Sequence, residues 1–205
     1  KKWYLDGFLK NNFSIMSTTV SQAVDVHRLR FGDWLPSPIK SIATDPFSAM
    51  VAIGREDGDI EIADSSGSKW YTIARIPGRT DFDLRSLVWA TVESEKGRLF
   101  GTSLRGFVFE IDLATLSFKH VQESYGGAIW SISGHPTEAS LAVGCEDGSV
   151  RMFSYSGGGL EYEKAFFGAA KRVLSLAYHP VKDQLFCGSS DGSISCLETG
   201  TGRSL

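Results

Sequence analysis

The chain has 205 residues, 42% of them apolar and 22% charged, a balance that fits a globular protein able to bury a good core. Its net charge of −3 supplies no global basic field for nucleic acid, which leaves only a local basic face for such a partner. Cys145, Cys187 and Cys196 lack CxxC spacing and point to a reducing compartment without disulfides; no apolar run approaches the ~20 residues of a membrane span, so no membrane partner is expected.

Residues 1–25 read as a flexible N-terminal segment. Lys1-Lys2 and several aromatics are interrupted by Asp6, Lys10 and two asparagines, which makes a poor signal peptide. Met16, followed by Ser-Thr-Thr, is a candidate initiator, and 1–15 would then be an upstream artefact. Residues 26–205 form the second region. Val26-His-Arg-Leu-Arg-Phe31 alternates and reads as a short strand, and 32–38 is a linker with two prolines. Four groups of strands follow. The first is Ile39–Ala43, Met50–Ile53, Asp59–Ala63 and Trp70–Ile76. The second is Arg85–Ala90, Arg98–Thr102, Phe107–Ile111 and Leu116–Val121. The third is Ala128–Ser133, Ser140–Gly144, Ser149–Ser154 and Leu160–Phe166. The fourth has Arg172–Tyr178, Gln184–Gly188 and Ser193–Leu197, and lacks its last strand. No segment carries helical periodicity.

The groups are copies of one unit. Glu56-Asp57-Gly58-Asp59 returns as Glu146-Asp147-Gly148-Ser149 and as Ser190-Asp191-Gly192-Ser193, with a weaker copy at Leu104-Arg105-Gly106-Phe107. The glycines at 58, 106, 148 and 192 are spaced by 48, 42 and 44 residues, the period of a β-propeller blade. Each is preceded by a strand of small residues, such as Val51-Ala-Ile-Gly54 and Leu141-Ala-Val-Gly144. Asp-Gly between alternating runs is a strong hairpin signal, so Asp57, Gly58, Gly106, Asp147, Gly148, Asp191 and Gly192 are assigned to structural turns. The expected fold is all-β: a partial propeller of about four four-stranded blades, the last incomplete. It is expected to belong to a larger propeller, leaving apolar positions such as Leu174 and Leu176 uncovered. The alternative is a four-bladed ring closed by Val26–Phe31.

Little in the chain suggests catalysis. The four histidines, His27, His120, His135 and His179, fall into no Ser/His/Asp order and no HExxH, and His135-Pro136 and His179-Pro180 are strand-end turns. Asp57-Gly-Asp59-Ile-Glu61 lacks the register of a calcium loop. Gly126-Gly127 precedes a strand rather than a helix, so it forms no phosphate cradle. No catalytic residue, cofactor, metal or small-molecule substrate is assigned. Trp89 and Trp130 fall in first strands, where packing between blades is the expected role and stacking on RNA bases the alternative. Lys164, Lys171 and Arg172 cluster near the third-to-fourth connection and are the candidate RNA or partner contacts, whereas Lys40, Arg55, Arg79 and Arg85 are scattered.

The fifth residue after each turn glycine is Ala63, Ile111, Phe153 or Leu197, and the sixth is Asp64, Asp112, Ser154 or Glu198. The units thus resemble WD40 repeats in which another apolar residue replaces the signature tryptophan, so the usual polar network cannot fully form and packing must substitute. Val26–Phe31, Gly97-Arg-Leu-Phe100, Gly126-Gly-Ala-Ile-Trp-Ser131, Val143–Val150 and Val173-Leu-Ser-Leu-Ala-Tyr-His-Pro180 resemble the N-terminal propeller of the cirhin family, over about 26–203. That resemblance implies a non-catalytic scaffold of the small-subunit processome in the nucleus and nucleolus. Its partners would be the sister WD-repeat subunits and pre-ribosomal RNA in early 18S rRNA processing. Fold alone does not license this. Other readings are a WD40 interaction module of a ubiquitin ligase or chromatin assembly, and an enzyme with carboxylates at the propeller axis.

Overall fold

The computed structural model describes residues 37–204 apart from 68–69, 91–96 and 168–170, so the flexible segment expected over 1–25 and the strand at Val26–Phe31 lie outside the described residues. Among the described residues, fifteen strands form four antiparallel sheets, each a simple meander. Blade one is β1 (Ile39–Thr44), β2 (Met50–Arg55), β3 (Ile60–Asp64) and β4 (Tyr71–Ile76). Blade two is β5 (Leu84–Ala90), β6 (Arg98–Ser103), β7 (Phe107–Asp112) and β8 (Ser117–Glu123). Blade three is β9 (Ile129–Gly134), β10 (Ser140–Cys145), β11 (Ser149–Ser154) and β12 (Glu161–Phe167). Blade four has β13 (Val173–Tyr178), β14 (Gln184–Ser189) and β15 (Ile194–Glu198). Every strand lies within two residues of its expected position, and the described residues contain no helix.

The first strands β1, β5, β9 and β13 stand side by side as an inner row, and the fourth strands face outward. A serine recurs two residues into each inner strand, at Ser41, Ser86, Ser131 and Ser175. Two of these serines tie neighbouring blades together: the Leu87 amide donates to Ser41 Oγ at 2.9 Å, and Ser131 Oγ donates to the Val173 carbonyl at 3.3 Å.

The core is not inside any blade but between blades. One apolar cluster joins blades one and two around Ile60, Leu84, Leu87 and Phe109. A second joins blades two and three around Phe100, Ile129, Leu141 and Phe153. The third joins blades three and four around Val150, Met152, Val173 and Leu185. Strand alternation produces this division. In β10, Leu141, Val143 and Cys145 face blade two, while Ala142 faces blade four. Gly144 also lies on the blade-four side, and a Cβ there would come within 2.6 Å of Val173 Cγ1 and 2.8 Å of the Val173 carbonyl oxygen. The small residues read in the sequence therefore make room for the next blade's inner strand. Each large side chain buried in this way contributes about 1.5–3 kcal/mol.

The four turn glycines between second and third strands have φ of +85° to +88°, the left-handed region that penalises a side chain. At the tryptophan position of the repeat, Ala63, Ile111, Phe153 and Leu197 are all buried. At the following position, Asp64 and Asp112 each accept backbone N–H bonds from the hairpin they open, from Ser66 at 2.8 Å and from Ala114 at 2.9 Å. Beyond β15 the chain reverses through Gly202, and Ser204 bridges back to Leu197. In blade four, Leu174 is exposed as expected, but Leu176 is half-buried against the third cluster. The larger exposure falls on Ile194 and Val181.

Candidate interaction rim

A repeated irregularity shapes one end of the inner row. The pairing of first with second strand slips by one residue at Lys40, Arg85, Trp130 and Leu174, each flanked by paired neighbours. A bulge of this kind re-aims the extra side chain. The same end carries the turns at Gly58, Gly106, Gly148 and Gly192 and the connections entering each blade.

On that rim Trp130 is the centre of a cluster. The guanidiniums of Arg85 and Arg172 lie 5.5 and 5.7 Å from its ring centroid. Its Nε1 donates to Glu146 Oε2, and Glu146 Oε1 accepts an ion-paired bond from Arg172 Nε. Lys40 Nζ is 4.0 Å from Glu56, which precedes the first turn as Glu146 precedes the third. Trp89 is different: it is buried in the first cluster and its Nε1 donates to the Ala43 carbonyl at 3.1 Å, latching blade two to blade one.

The three basic residues singled out in the sequence do not form one patch. Arg172 belongs to the rim, and Lys171 precedes it, its carbonyl accepting a bond from Ser189 Oγ at 3.3 Å. Lys164 pairs opposite Met152 in mid-blade, and its Nζ donates to the Thr199 carbonyl at 2.8 Å, so it clasps blade three to blade four. The scattered cations are mostly ion-paired: Arg55 to Glu61 at 2.9 Å and Arg79 to Asp81 at 2.5 Å.

The turn aspartates serve their own hairpins. Asp57 Oδ1 accepts from the Asp59 amide at 3.1 Å. Asp147 Oδ1 accepts from the Ser149 amide at 2.9 Å and its Oδ2 from Arg151 at 3.0 Å. Asp191 accepts from the Ser193 amide at 2.9 Å and the Ser193 hydroxyl at 2.6 Å. Burial pushes the Asp147 carboxyl up, but the bonds from Ser149 and Arg151 outweigh it and hold the group below the ordinary carboxylate range. The Ser193 bonds lower Asp191 in the same way.

At the opposite end, His135 Nδ1 accepts from the Glu138 amide at 2.9 Å and His179 Nδ1 from the Lys182 amide at 3.0 Å. Both cap the turn after an inner strand, and Asp45 does the same in blade one through the Phe47 amide at 3.1 Å. Burial raises the thiol of Cys145 to about 11 and that of Cys187 to about 12, far from reactive thiolates. Near the same end is an open cleft of about 830 Å³ with Asp45, Phe47, Arg98, Glu110 and Lys119 on its walls. Its charges are spent on one another: buried Glu110 takes a two-pronged bond from Arg98, at 2.9 and 2.6 Å, and has Lys119 at 3.4 Å. Arg98 also donates to the Tyr155 carbonyl at 2.6 Å, bracing blade two on blade three. Sequence reading missed this strut. Among the described residues no three His, Cys, Asp or Glu side chains gather as a metal site.

Comparison with known proteins now places the fold. The family model described as "WD domain, G-beta repeat" matches residues 116–154 and 161–196. The matched stretches, from β8 through β11 and from β12 into β15, carry the WD40 repeat pattern. The human U3 small nucleolar RNA-associated protein 4 homolog is 36% identical over 81% of this chain, and the mouse protein of the same name 35% over 81%. The U3 small nucleolar RNA-associated protein 4 of Saccharomyces cerevisiae is 35% identical over 86% of the chain. This chain is homologous to that group and spans about a quarter of its members' length, 24% of each of these three. Among solved structures, the computationally designed Ika4 protein matches with a TM-score of 0.63 at 16% identity, covering 81% of this chain and 94% of Ika4, a likeness of fold alone.

Proposed function

We propose that this chain is part of a non-catalytic WD40 scaffold that acts in ribosome biogenesis, within the N-terminal propeller of the cirhin-like proteins. In this reading it binds sister WD-repeat subunits and pre-ribosomal RNA during early processing toward 18S rRNA, in the nucleolus. The observation that carries the proposal is identity of 35–36% to U3-associated proteins from human and budding yeast across more than four-fifths of the chain. The family model for the repeat covers far less of it. Supporting the scaffold role, the charged groups of the cleft and of the turns are occupied in holding blades and hairpins together. The Asp and Glu side chains named on the rim likewise have hydrogen-bond or ion-pair partners within the chain.

The test is to tag the longer protein that contains this chain, locate it in cells and purify it under native conditions. Nucleolar concentration with co-purifying U3 small nucleolar RNA and pre-ribosomal RNA is the expected result. A uniform cytosolic signal with neither RNA would overturn the proposal in favour of a WD40 module of another complex.

A further inference from the structure

The interfaces between blades differ at one place. The seventh residue after the turn glycine is Leu113 in blade two, Tyr155 in blade three and Thr199 in blade four. Tyr155 is 3% exposed and plugs the space between blades two and three. Its ring centroid lies 5.0 Å from the Arg98 guanidinium and 4.9 Å from the Phe100 ring, the first and third residues of β6. The corresponding residues of β2 are Met50 and Ala52, and Leu113 stands in the place of Tyr155. The interface of blades one and two thus carries no ring at these three places, and there the cleft of about 830 Å³ opens. Its apolar walls are Phe47, Met50, Leu99, Ile111 and Leu113, and Phe47 is 70% exposed. Protein interiors are otherwise close-packed, and an apolar cleft of this size is what a binding pocket requires. The wall charges of Arg98, Glu110, Asp112 and Lys119 pair among themselves. Asp45 is 8% exposed and accepts from the Phe47 amide and the Ser48 hydroxyl, but no cation meets it among the described residues. Its counterparts in blades three and four are imidazoles, His135 and His179.

We propose that this cleft between blades one and two docks an aromatic side chain of a partner protein, carried on a short segment in which an adjacent arginine or lysine meets the charge of Asp45. The incoming ring does from outside what Tyr155 does from within one interface further on. The site lies at the end opposite the turn glycines. It goes beyond the assembly named above and holds whichever complex contains the chain. Shape and charge decide the class of partner. Tyr155 shows that an aromatic ring is the group this place in the repeat accommodates, and that a guanidinium sits well against it. A carboxylate this little exposed is costly without a counterion, so a cation brought by the partner is favoured there. The same carboxylate opposes a phosphate strand, whose binding needs cations on the protein side. Aromatic residues and arginine are also the anchors that dominate protein-binding energetics.

Fluorescence anisotropy on the full chain tests this, with three labelled probes: a short Gly and Ser peptide carrying Arg-Trp, the same peptide with Ala for Trp, and the same with Gln for Arg. The Arg-Trp peptide should bind at least about tenfold more tightly than its Ala counterpart and about threefold more tightly than its Gln counterpart. Leu113→Tyr supplies the missing ring from within, so it should weaken the Arg-Trp peptide by at least about tenfold and leave the melting temperature equal or higher. Phe47→Ser changes the same wall at an exposed position and should weaken binding about threefold with an unchanged melting temperature. Asp45→Asn should erase the advantage of Arg over Gln and keep that of Trp over Ala. Equal binding of the Trp and Ala peptides, no binding below about 1 mM, or indifference to both Leu113→Tyr and Phe47→Ser overturns the proposal. So does a chain that sediments as a dimer and becomes monomeric with Leu113→Tyr, which would assign the cleft to a second copy.

Discussion

Val150 and Ile194 hold the same place in successive blades, two residues past the turn glycine, yet Val150 is 1% exposed and Ile194 79%. Their counterparts Ile60 and Val108 are 0% exposed. Local structure does not separate them: Val150 pairs with Gly144 as Ile194 pairs with Gly188, and the turn glycines beside them have φ of +85° and +88°. The neighbour does. Val150 lies in the cluster that blade four completes with Val173 and Leu185, and Ile194 has no such cover among the described residues. The strand pairs follow suit, with all six residues of β10 buried and only two of β14. A blade makes its hairpins alone and borrows its core from the blade beside it, as in other repeat architectures.

The largest effect that could break this comparison is a buried charge. Val150→Asp should cost roughly 3–5 kcal/mol, because it loses apolar burial and places a carboxylate where nothing pairs with it. Ile194→Asp should cost no more than about 0.5 kcal/mol. Urea denaturation of the two variants measures both, and similar losses would remove the distinction between covered and uncovered blades.

A smaller effect comes from the strand glycines. Gly144→Ala sets a methyl against Val173, including its carbonyl oxygen, and should cost about 1–3 kcal/mol. Gly188→Ala meets the Ser175 hydroxyl, which can rotate away, and should cost less than about 1 kcal/mol. Paired melting curves decide it.

Turn strain should ignore the difference between blades. Gly148→Ala and Gly192→Ala each force a Cβ into the left-handed region, so each hairpin should lose about 1–2 kcal/mol, read by hydrogen exchange within its own blade. A clear inequality would mean that neighbours shape the turns as well as the core.

The smallest effect is a dependence on acid. The folded carboxyl of Asp147 lies below its ordinary value, so the stability from its bonds is complete above about pH 4 and drains away as pH falls through the lowered value. Asp191 shifts in the same direction. Asp147→Asn should flatten the stability profile below about pH 4, and an unaltered profile would discount the Ser149 and Arg151 bonds.

The hairpins were legible because their signals are local. Asp-Gly, the alternation beside it and the recurring period locate all fifteen strands. Grouping Lys164 with Arg172 failed for a physical reason: eight positions of a strand and its following connection carry the chain from mid-blade to the rim, so closeness in sequence is not closeness on a face. The Arg85, Trp130 and Arg172 cluster was hidden in the converse way. Its members are about one repeat apart: Arg85 and Trp130 are the bulged residues of successive inner strands, and Arg172 leads into the next. Aligning the four copies on Ile39, Leu84, Ile129 and Val173 would have shown Lys40, Arg85, Trp130 and Leu174 as one column. The Arg98 and Glu110 strut had no such signal, since its partners in blade two and the Tyr155 carbonyl in blade three share no motif.

Native-state hydrogen exchange on the chain tests the borrowed core most directly, by comparing the amides of Val150 to Met152 with those of Ile194 to Cys196. The account predicts that the first group exchanges only through opening of several blades, and that the second exchanges orders of magnitude faster through opening of blade four alone. Equal protection of the two groups would show that each blade is stabilised from within, and would contradict it.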